Sequence, residues 1–423
     1  MRISTLQAFN NGVAGLQRNY ANVTRTQEQI STGNRILTPA DDPVASVRLL
    51  QLEQQQNVLN QYAENLTAAK NSLTQEEVSL NSANTILQRV RELAVQAGNG
   101  ALSSKDRASI AAELQEREDE LLGVMNTRNA RGEYLFAGFQ GKTQPFVRQA
   151  DGSYAYQGDE GQRKIQIASS LDIPISDNGK KTFVNITDAG RLQATPTGAL
   201  PGLRVGAPLV QDEVAFSGTP AFPPGGIEIE FDTVNPQNYE IRSIAPPAVL
   251  GSGTLDSDPA KQDKLVFRGV VVNFDGTPAG GELVQITPRQ VEDPLNSGVF
   301  VDAKKQGVLD SIATLRQALL DAPDTPNGNL QVRDAVALGL TNLDHAMVTL
   351  DSVRGEIGAR LNIVETTQTD NEDVSLVNKS VQAQLRELDY AEALSRLSFE
   401  SIVLEAAQQS YVKIAGLTLF SQM

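Results

Sequence analysis

The sequence contains no cysteine and no tryptophan, and its single histidine is His345. Without cysteine there are no disulfides, no thiolate metal sites and no cysteine nucleophile, and the chain is indifferent to redox compartment. One imidazole excludes any site that needs two. No apolar run approaches the roughly 20 residues required to cross a bilayer, so membrane insertion is not expected. The start, Met1-Arg2-Ile3-Ser4-Thr5-Leu6, runs into polar residues within a few positions. It therefore lacks the apolar core and small-residue cleavage site of a secretory leader. Basic residues are in deficit, 36 Lys and Arg against 51 Asp and Glu, for a net charge of −15. That balance argues against nucleic acid as a partner, because phosphate contacts need clustered cations.

Proline is present but unevenly placed: 15 of the 19 prolines lie between Pro145 and Pro294. Proline interrupts helices and central strands, so the middle of the chain is a different structural regime from its flanks. The flanks are rich in Gln, Asn, Ala, Leu and Glu and carry helical periodicity. Leu6, Phe9, Val13, Leu16, Tyr20, Val23, Gln27 and Ile30 alternate in steps of three and four, a heptad seam interrupted at Gln27. Ser31-Thr32-Gly33-Asn34 stops that helix. Asp42-Pro43 starts the next, with an aspartate to accept orphan N–H groups and a proline with no donor to lose.

The second helix is expected from Pro43 to Ala97. Its seam is Leu52, Gln55, Leu59, Tyr62, Leu66, Ala69, Leu73, Glu76, Leu80, Ala83, Leu87, Val90, Ala94 and Ala97. A helix of this length extends about 80 Å at 1.5 Å per residue. Gly98-Asn99-Gly100 ends it, and Ser103 with Asp106 forms a capping-box pattern for a third helix through about Asn129. On the C-terminal side helical spacing occurs at Val308, Ile312, Leu315 and Leu319. It resumes after Pro323-Asp324-Thr325-Pro326-Asn327-Gly328 at Val336, Leu340, Leu343, Met347 and Leu350. A further run follows at Val374, Val377, Val381, Leu385, Leu388, Ala391, Leu394 and Leu397. In the middle, Gly226 to Phe231, Tyr239 to Arg242 and Leu265 to Phe274 read as strands.

The expected fold is therefore α + β and multidomain. A long α-helical coiled-coil or bundle core is formed by both chain ends, with an inserted antiparallel β domain. The expected division is a terminal helical part from 1–40 and 380–423, a helical part with a β-hairpin from 41–175 and 300–379, and the β domain at 176–299. Residues 1–38 carry a net +3 and residues 381–423 a net −2, so the ends attract. A two-in-seven apolar stripe is stable only when covered. Pattern alone allows either an intramolecular bundle or surplus apolar surface for neighbouring subunits. The charge-free tail from Ile414 to Phe420 favours the second, since leaving Leu417, Leu419 or Phe420 in water costs roughly 1.5–3 kcal/mol each. The expected subunit interface is Leu6, Phe9, Val13, Leu16, Tyr20, Val23 and Ile30 with Leu394, Leu397, Ile402, Leu404, Tyr411, Ile414, Leu417, Leu419 and Phe420.

Several separated motifs carry a family resemblance. Gln29-Ile30-Ser31-Thr32-Gly33-Asn34-Arg35-Ile36 followed by Asp41-Asp42-Pro43 resembles the amino-terminal motif of bacterial flagellins and their hook-associated relatives. Arg354-Gly355-Glu356-Ile357-Gly358-Ala359-Arg360-Leu361-Asn362 and Leu388-Asp389-Tyr390-Ala391-Glu392-Ala393 resemble its carboxy-terminal segments. Met1-Arg2-Ile3-Ser4, Gly132-Glu133-Tyr134-Leu135-Phe136-Ala137-Gly138 and Pro145-Phe146 are more similar to the hook–filament junction branch than to flagellin. Tyr156-Gln157-Gly158-Asp159 and Val271 to Gly281 are also similar to hook-associated segments. The resemblance covers roughly 1–190 and 300–423. It implies export in unfolded form through the flagellar type III apparatus to the extracellular flagellum, with an export chaperone at the C-terminal region. It also implies self-assembly into a short annular layer between the first hook-associated protein and flagellin, the terminal arms inside and the β domain projecting. A flagellin-like filament subunit and a surface adhesin with a β binding head are the alternatives.

Rival chemistry is thin, and neither an enzyme nor a cofactor is expected. Glu113, Glu116, Glu118, Asp119 and Glu120, interleaved with Arg117, read as the solvated face of a helix. Asp41-Asp42 reads as a cap and not a cation site. Asp151-Gly152 and Gln157-Gly158-Asp159-Glu160-Gly161 lack calcium-loop spacing and read as hairpin turns. Gly98-Asn99-Gly100 lacks the lysine and further glycines of a phosphate cradle. His345, beside Asp344, has no partner nucleophile to serve.

Overall fold

The computed structural model describes residues 2–198, 200, 202–258, 261–292 and 299–420, with side chains at all of these but 2–6, 8 and 414–420. Helices α1 (Arg2–Thr32), α2 (Pro43–Ala97) and α3 (Ser104–Met125) open the chain. A short α4 (Glu213–Ser217) lies within the β region, and α5 (Val308–Asp321), α6 (Pro326–Arg386) and α7 (Tyr390–Phe420) close it. The α + β expectation therefore holds, with helices from both ends and antiparallel strands between.

The bounds of α2 match those expected because its signals are local. Asp42 Oδ1 accepts the Ala45 N–H at 3.0 Å, which satisfies an orphan donor of the first turn. At the other end the Gly98 N–H returns to the Ala94 carbonyl at 3.1 Å. The capping box of α3 is present in both directions between Ser103 and Asp106. That helix stops at Met125, short of the expected Asn129, because the Asn126 side chain leaves the helical pattern. It bonds both the carbonyl (2.9 Å) and the N–H (3.0 Å) of Phe146.

The chain divides into two compact units, one of residues 1–67 with 365–423 and one of 68–364, so α2 and α6 contribute to both. In the 68–364 unit, α2 buries Ala69, Leu73, Leu80, Ala83, Leu87, Val90 and Ala94. Ion pairs Arg89–Glu113 (2.7 Å) and Arg91–Asp344 (2.7 Å) place α3 and α6 alongside it. Arg107 on α3 is buried. It donates to the Leu102 and Ala322 carbonyls at 3.0 and 2.7 Å and to Asp324 at 2.8 Å, so it satisfies peptide groups just before α3 and just after α5.

The β region is built from two facing antiparallel sheets. One runs in the order Ala248–Thr254, Asn238–Ser243, Ile227–Phe231, Leu283–Pro288, Leu192–Thr197. In the other, Gln262–Phe267 pairs with Val270–Gly276, which also takes Leu203–Val205 and Leu209–Val210. Ile227, Ile229, Val284 and Ile286 from the first share one core with Leu265, Val270, Val272 and Phe274 from the second. The Phe231 and Phe274 rings meet edge to face at 5.8 Å. Arg333 and Arg204 anchor this region to α6. Arg333 takes both oxygens of Asp275 at 2.9 Å, and Arg204 reaches Asp334 at 2.8 Å.

Three sequence readings change. The run from Leu265 to Phe274 is two strands, because Arg268 (φ 45°) and Gly269 (φ 78°) form a two-residue turn in the left-handed region. The segment Gln157 to Gly161 is a corner and not a hairpin turn: Asp159 Oδ1 accepts the N–H groups of Phe139 (2.9 Å) and Gly161 (2.7 Å). Glu118 is no part of a solvated face. It is buried, held by Arg148 and Arg316 at 2.9 Å each and by the Tyr154 hydroxyl.

Candidate assembly surface

The candidate site is the apolar surface of the 1–67 and 365–423 unit, and it starts from how the two ends of the chain hold each other. Contacts between α1 and α7 pair Phe9 with Tyr411, Thr26 with Glu400, Gln29 with Arg396, and Gly33 with Tyr390. Each step up one helix is a step down the other, so the pair is antiparallel. On α7 the face toward α1 runs through Ala393, Leu397, Glu400, Leu404, Ala407 and Tyr411, all buried or half-buried in alternating steps of four and three.

Of the expected interface residues, Val13, Leu16, Val23 and Ile30 on α1 and Leu397, Leu404 and Tyr411 on α7 are half-buried along this shared seam. Phe9 touches the Tyr411 ring at 5.3 Å yet keeps half its surface in water. Tyr20, Leu394 and Ile402 stand out from the seam, Tyr20 at 64% and Ile402 at 62% exposed. Gln27, where the heptad seam is interrupted, is exposed. Leu6, Ile414, Leu417, Leu419 and Phe420 belong to α1 and α7 by their backbone, and their side chains lie outside the described ones.

Among the described side chains of α1 the buried ones, Thr26 and Gln29, are polar, which heptad reading misses. Thr26 donates to Glu400 at 2.8 Å. Gln29 donates from Nε2 to the Arg35 carbonyl at 2.6 Å and accepts Arg396 on Oε1 at 2.9 Å. The available signal was the spacing of Thr26 and Gln29, three apart, against Arg396 and Glu400, four apart, which puts each pair on one helical face.

Two of the family motifs meet here. Arg35 donates its backbone N–H to the Arg386 carbonyl at 2.8 Å, and Leu388 donates to the Gly33 carbonyl at 3.0 Å. Asp389 Oδ1 caps α7 through the Ala391 N–H at 2.9 Å, which breaks the expected run from Val374 to Leu397 between Leu385 and Ala391. Gly33 ends α1 with φ 71°, and an added Cβ would lie 3.0 Å from the Tyr390 hydroxyl. Asp41 fastens the neighbouring turn by accepting the Leu37 and Thr38 N–H groups at 2.9 Å each, and its side chain meets Arg25. Those N–H groups, Thr38 first, hold its carboxyl below the usual range.

What remains uncovered is apolar. Val44, Val47, Leu50 and Val58 on α2, Val374, Leu376 and Val377 on α6, and Leu394, Phe399, Ile402, Val403 and Val412 on α7 are exposed. Against these, the buried apolar residues described in this unit are Ala45, Leu52, Leu66, Leu388 and Ala393. Among the described residues this surface shows no nucleophile–base pair, and its exposed side chains are those of a contact surface. His345 lies in the other unit, its Nδ1 2.9 Å from the Thr187 carbonyl.

Comparisons with known proteins agree with this geometry. Residues 3–141 match the model of the bacterial flagellin N-terminal helical region. The chain is 36% identical over 187 residues to flagellar hook-associated protein 3 of Salmonella typhimurium, covering 44% of this chain and 58% of that relative. It is 35% identical over the same length to the hook-associated protein 3 of Escherichia coli. The match thus spans under two thirds of these relatives. Among solved structures, hook-associated protein 3 from Legionella pneumophila superposes with a TM-score of 0.62 at 26% identity, covering 79% of this chain and 98% of that one. The N-terminal third of the chain is thus similar to flagellins. Over a longer stretch it resembles hook-associated protein 3, in sequence and in fold.

Proposed function

We propose that this chain is a structural adaptor of the bacterial flagellum, exported to the cell exterior and assembled at the hook–filament junction. Copies associate through the terminal helices into a short annular layer between the first hook-associated protein and flagellin. An export chaperone holds the C-terminal region beforehand. The role requires no catalysis and no cofactor. The parts that carry it are 1–40 with 380–423 as the inner, subunit-binding part, 41–175 with 300–379 as the helical shell, and 176–299 as the projecting β domain. Interface residues are the expected set from Leu6 to Ile30 and Leu394 to Phe420.

One observation carries this reading: after α1 and α7 have paired, Leu394, Phe399 and Ile402 are still exposed on the same helix. Burying each would contribute roughly 1.5–3 kcal/mol, which in a lone copy goes unused. Electron microscopy of the protein mixed with isolated hooks and flagellin tests it. The expected result is a short layer at hook tips from which filaments grow, lost in Ile402→Asp with the helical content of the lone chain unchanged. Long filaments from this protein alone would favour a filament subunit instead. Filaments growing equally well from hooks treated with the Asp variant would refute the proposal.

A further inference from the structure

The central unit holds a carboxyl that helix packing does not explain. Glu76 occupies the α2 seam between Leu73 and Leu80 and is 1% exposed. Its Oε1 accepts the backbone N–H of Asp177 at 2.9 Å. Its Oε2 is buried with no hydrogen-bond partner among the described residues. Asp177, in the turn before the single π-helical turn Lys180–Val184, is also fully buried. Its carboxylate takes both arms of Arg360 at 2.7 and 3.1 Å and the Gln162 amide at 2.6 Å.

The remaining charges facing this spot are engaged elsewhere. Arg360 also reaches Glu356 at 3.1 Å, Lys181 from the π turn holds Glu356 at 2.8 Å, and Arg163 holds Glu133 at 2.6 Å. The Arg360 guanidinium is therefore matched to Asp177, with its other bond to Glu356, and makes no described ion pair with Glu76. A neutral Glu76 keeps its Oε1 bond and leaves one group unpartnered. An ionised Glu76 would add a second buried negative charge without a cation of its own, a much larger penalty.

We propose that Glu76 is a proton-operated latch: uncharged, it fastens the 177–178 turn to α2 within the central unit, and ionised, it releases that turn to water. Burial, then the Asp177 charge, pushes the Glu76 carboxyl from 4.5 up to about 8. The closed state thus keeps a proton that the open state gives up. Its stabilisation is complete below about pH 4.5, declines as pH rises and is gone above about 8, where both states are ionised.

Amide exchange of the turn in the full-length chain reads the latch directly. After correction for intrinsic exchange, the opening constant of the Asp177 amide should rise about tenfold per pH unit, or about a hundredfold from pH 5.5 to 7.5, and then level off. Glu76→Gln keeps the Oε1 acceptor and cannot ionise, so its opening constant should be independent of pH. Equal pH dependence in wild type and Gln variant would overturn the proposal. Should the variant not fold, a carbon NMR titration of Glu76 in the wild-type chain decides. A midpoint near 8 supports the latch, and one in the ordinary carboxylate range eliminates it.

Discussion

Helix α2 runs through two packing regimes without changing its repeat. From Ala69 to Ala97 every seam position is buried, Glu76 included. From Pro43 to Thr67 the same alternation buries Leu52 and Leu66, leaves Leu59 and Tyr62 half-covered and exposes Gln55. In one unit α3, α6 and the Asp177 backbone meet the helix, and in the other the described hydrogen bonds to it come from Asn371 and Ser375 of α6. A heptad stripe states that a face is apolar. It does not state whether the cover comes from the same chain, and the two halves of α2 separate those meanings.

The contrast extends to polar groups. The central unit buries whole ionic clusters, so its largest sensitivities are electrostatic. Glu118 receives Arg148, Arg316 and the Tyr154 hydroxyl with no surface exposed. Burial, then the Glu118 carboxylate, pushes the Tyr154 hydroxyl well above its ordinary value. Removing the anion leaves Arg316, 18% exposed, without its carboxylate, while Arg148 keeps Asp119. Glu118→Ala should cost about 3–5 kcal/mol in denaturant unfolding. A loss below about 1 kcal/mol would show that water replaces the carboxylate, and the contrast between units would weaken.

Legibility in the sequence follows the range of the interactions. The bounds of α2, the capping box of α3 and the stop at Gly33 were readable because cap and helix are neighbours in the chain. The buried role of Glu118 was not, since its partners Arg148 and Arg316 lie 30 and 198 residues away. The repeat puts Glu76 on the seam, but its partner Asp177 is 101 residues distant, so the sequence does not reveal its chemistry. The Arg268-Gly269 turn is hidden in the sequence because apolar residues on both sides make it read as one continuous strand. Where α1 and α7 pair, the apolar seam is legible in the sequence and the buried Thr26 and Gln29 are not, because the heptad rule looks for carbon where the helix pair uses hydrogen bonds.

The junction where the ends clasp should show an intermediate effect. Gly33 combines a left-handed φ of 71° with the Tyr390 hydroxyl 3.0 Å from any added Cβ. Gly33→Ala would have to hold alanine in that strained region and push Tyr390 aside, at about 1–3 kcal/mol. Amide exchange should speed up at Arg35 and Leu388, whose N–H groups tie the two ends together. Exchange rates unchanged at both would mean that the clasp tolerates a side chain and does not fix the terminal unit.

The smallest effect is the sharpest test of the comparison. Leu50 and Leu52 are two residues apart on α2, yet Leu50 is 57% exposed and Leu52 is 5% exposed. Leu52 has already found its cover within the chain. Leu50, together with Val47, faces outward on the opposite side of the helix. If that face is reserved for another subunit, Leu50→Ser should leave the unfolding midpoint of the isolated chain within about 0.5 kcal/mol of the parent, as for ordinary surface changes. A destabilisation above about 1 kcal/mol would mean that Leu50 is already covered in the single chain. The terminal unit would then be self-sufficient, and its difference from the central unit would be one of composition and not of purpose.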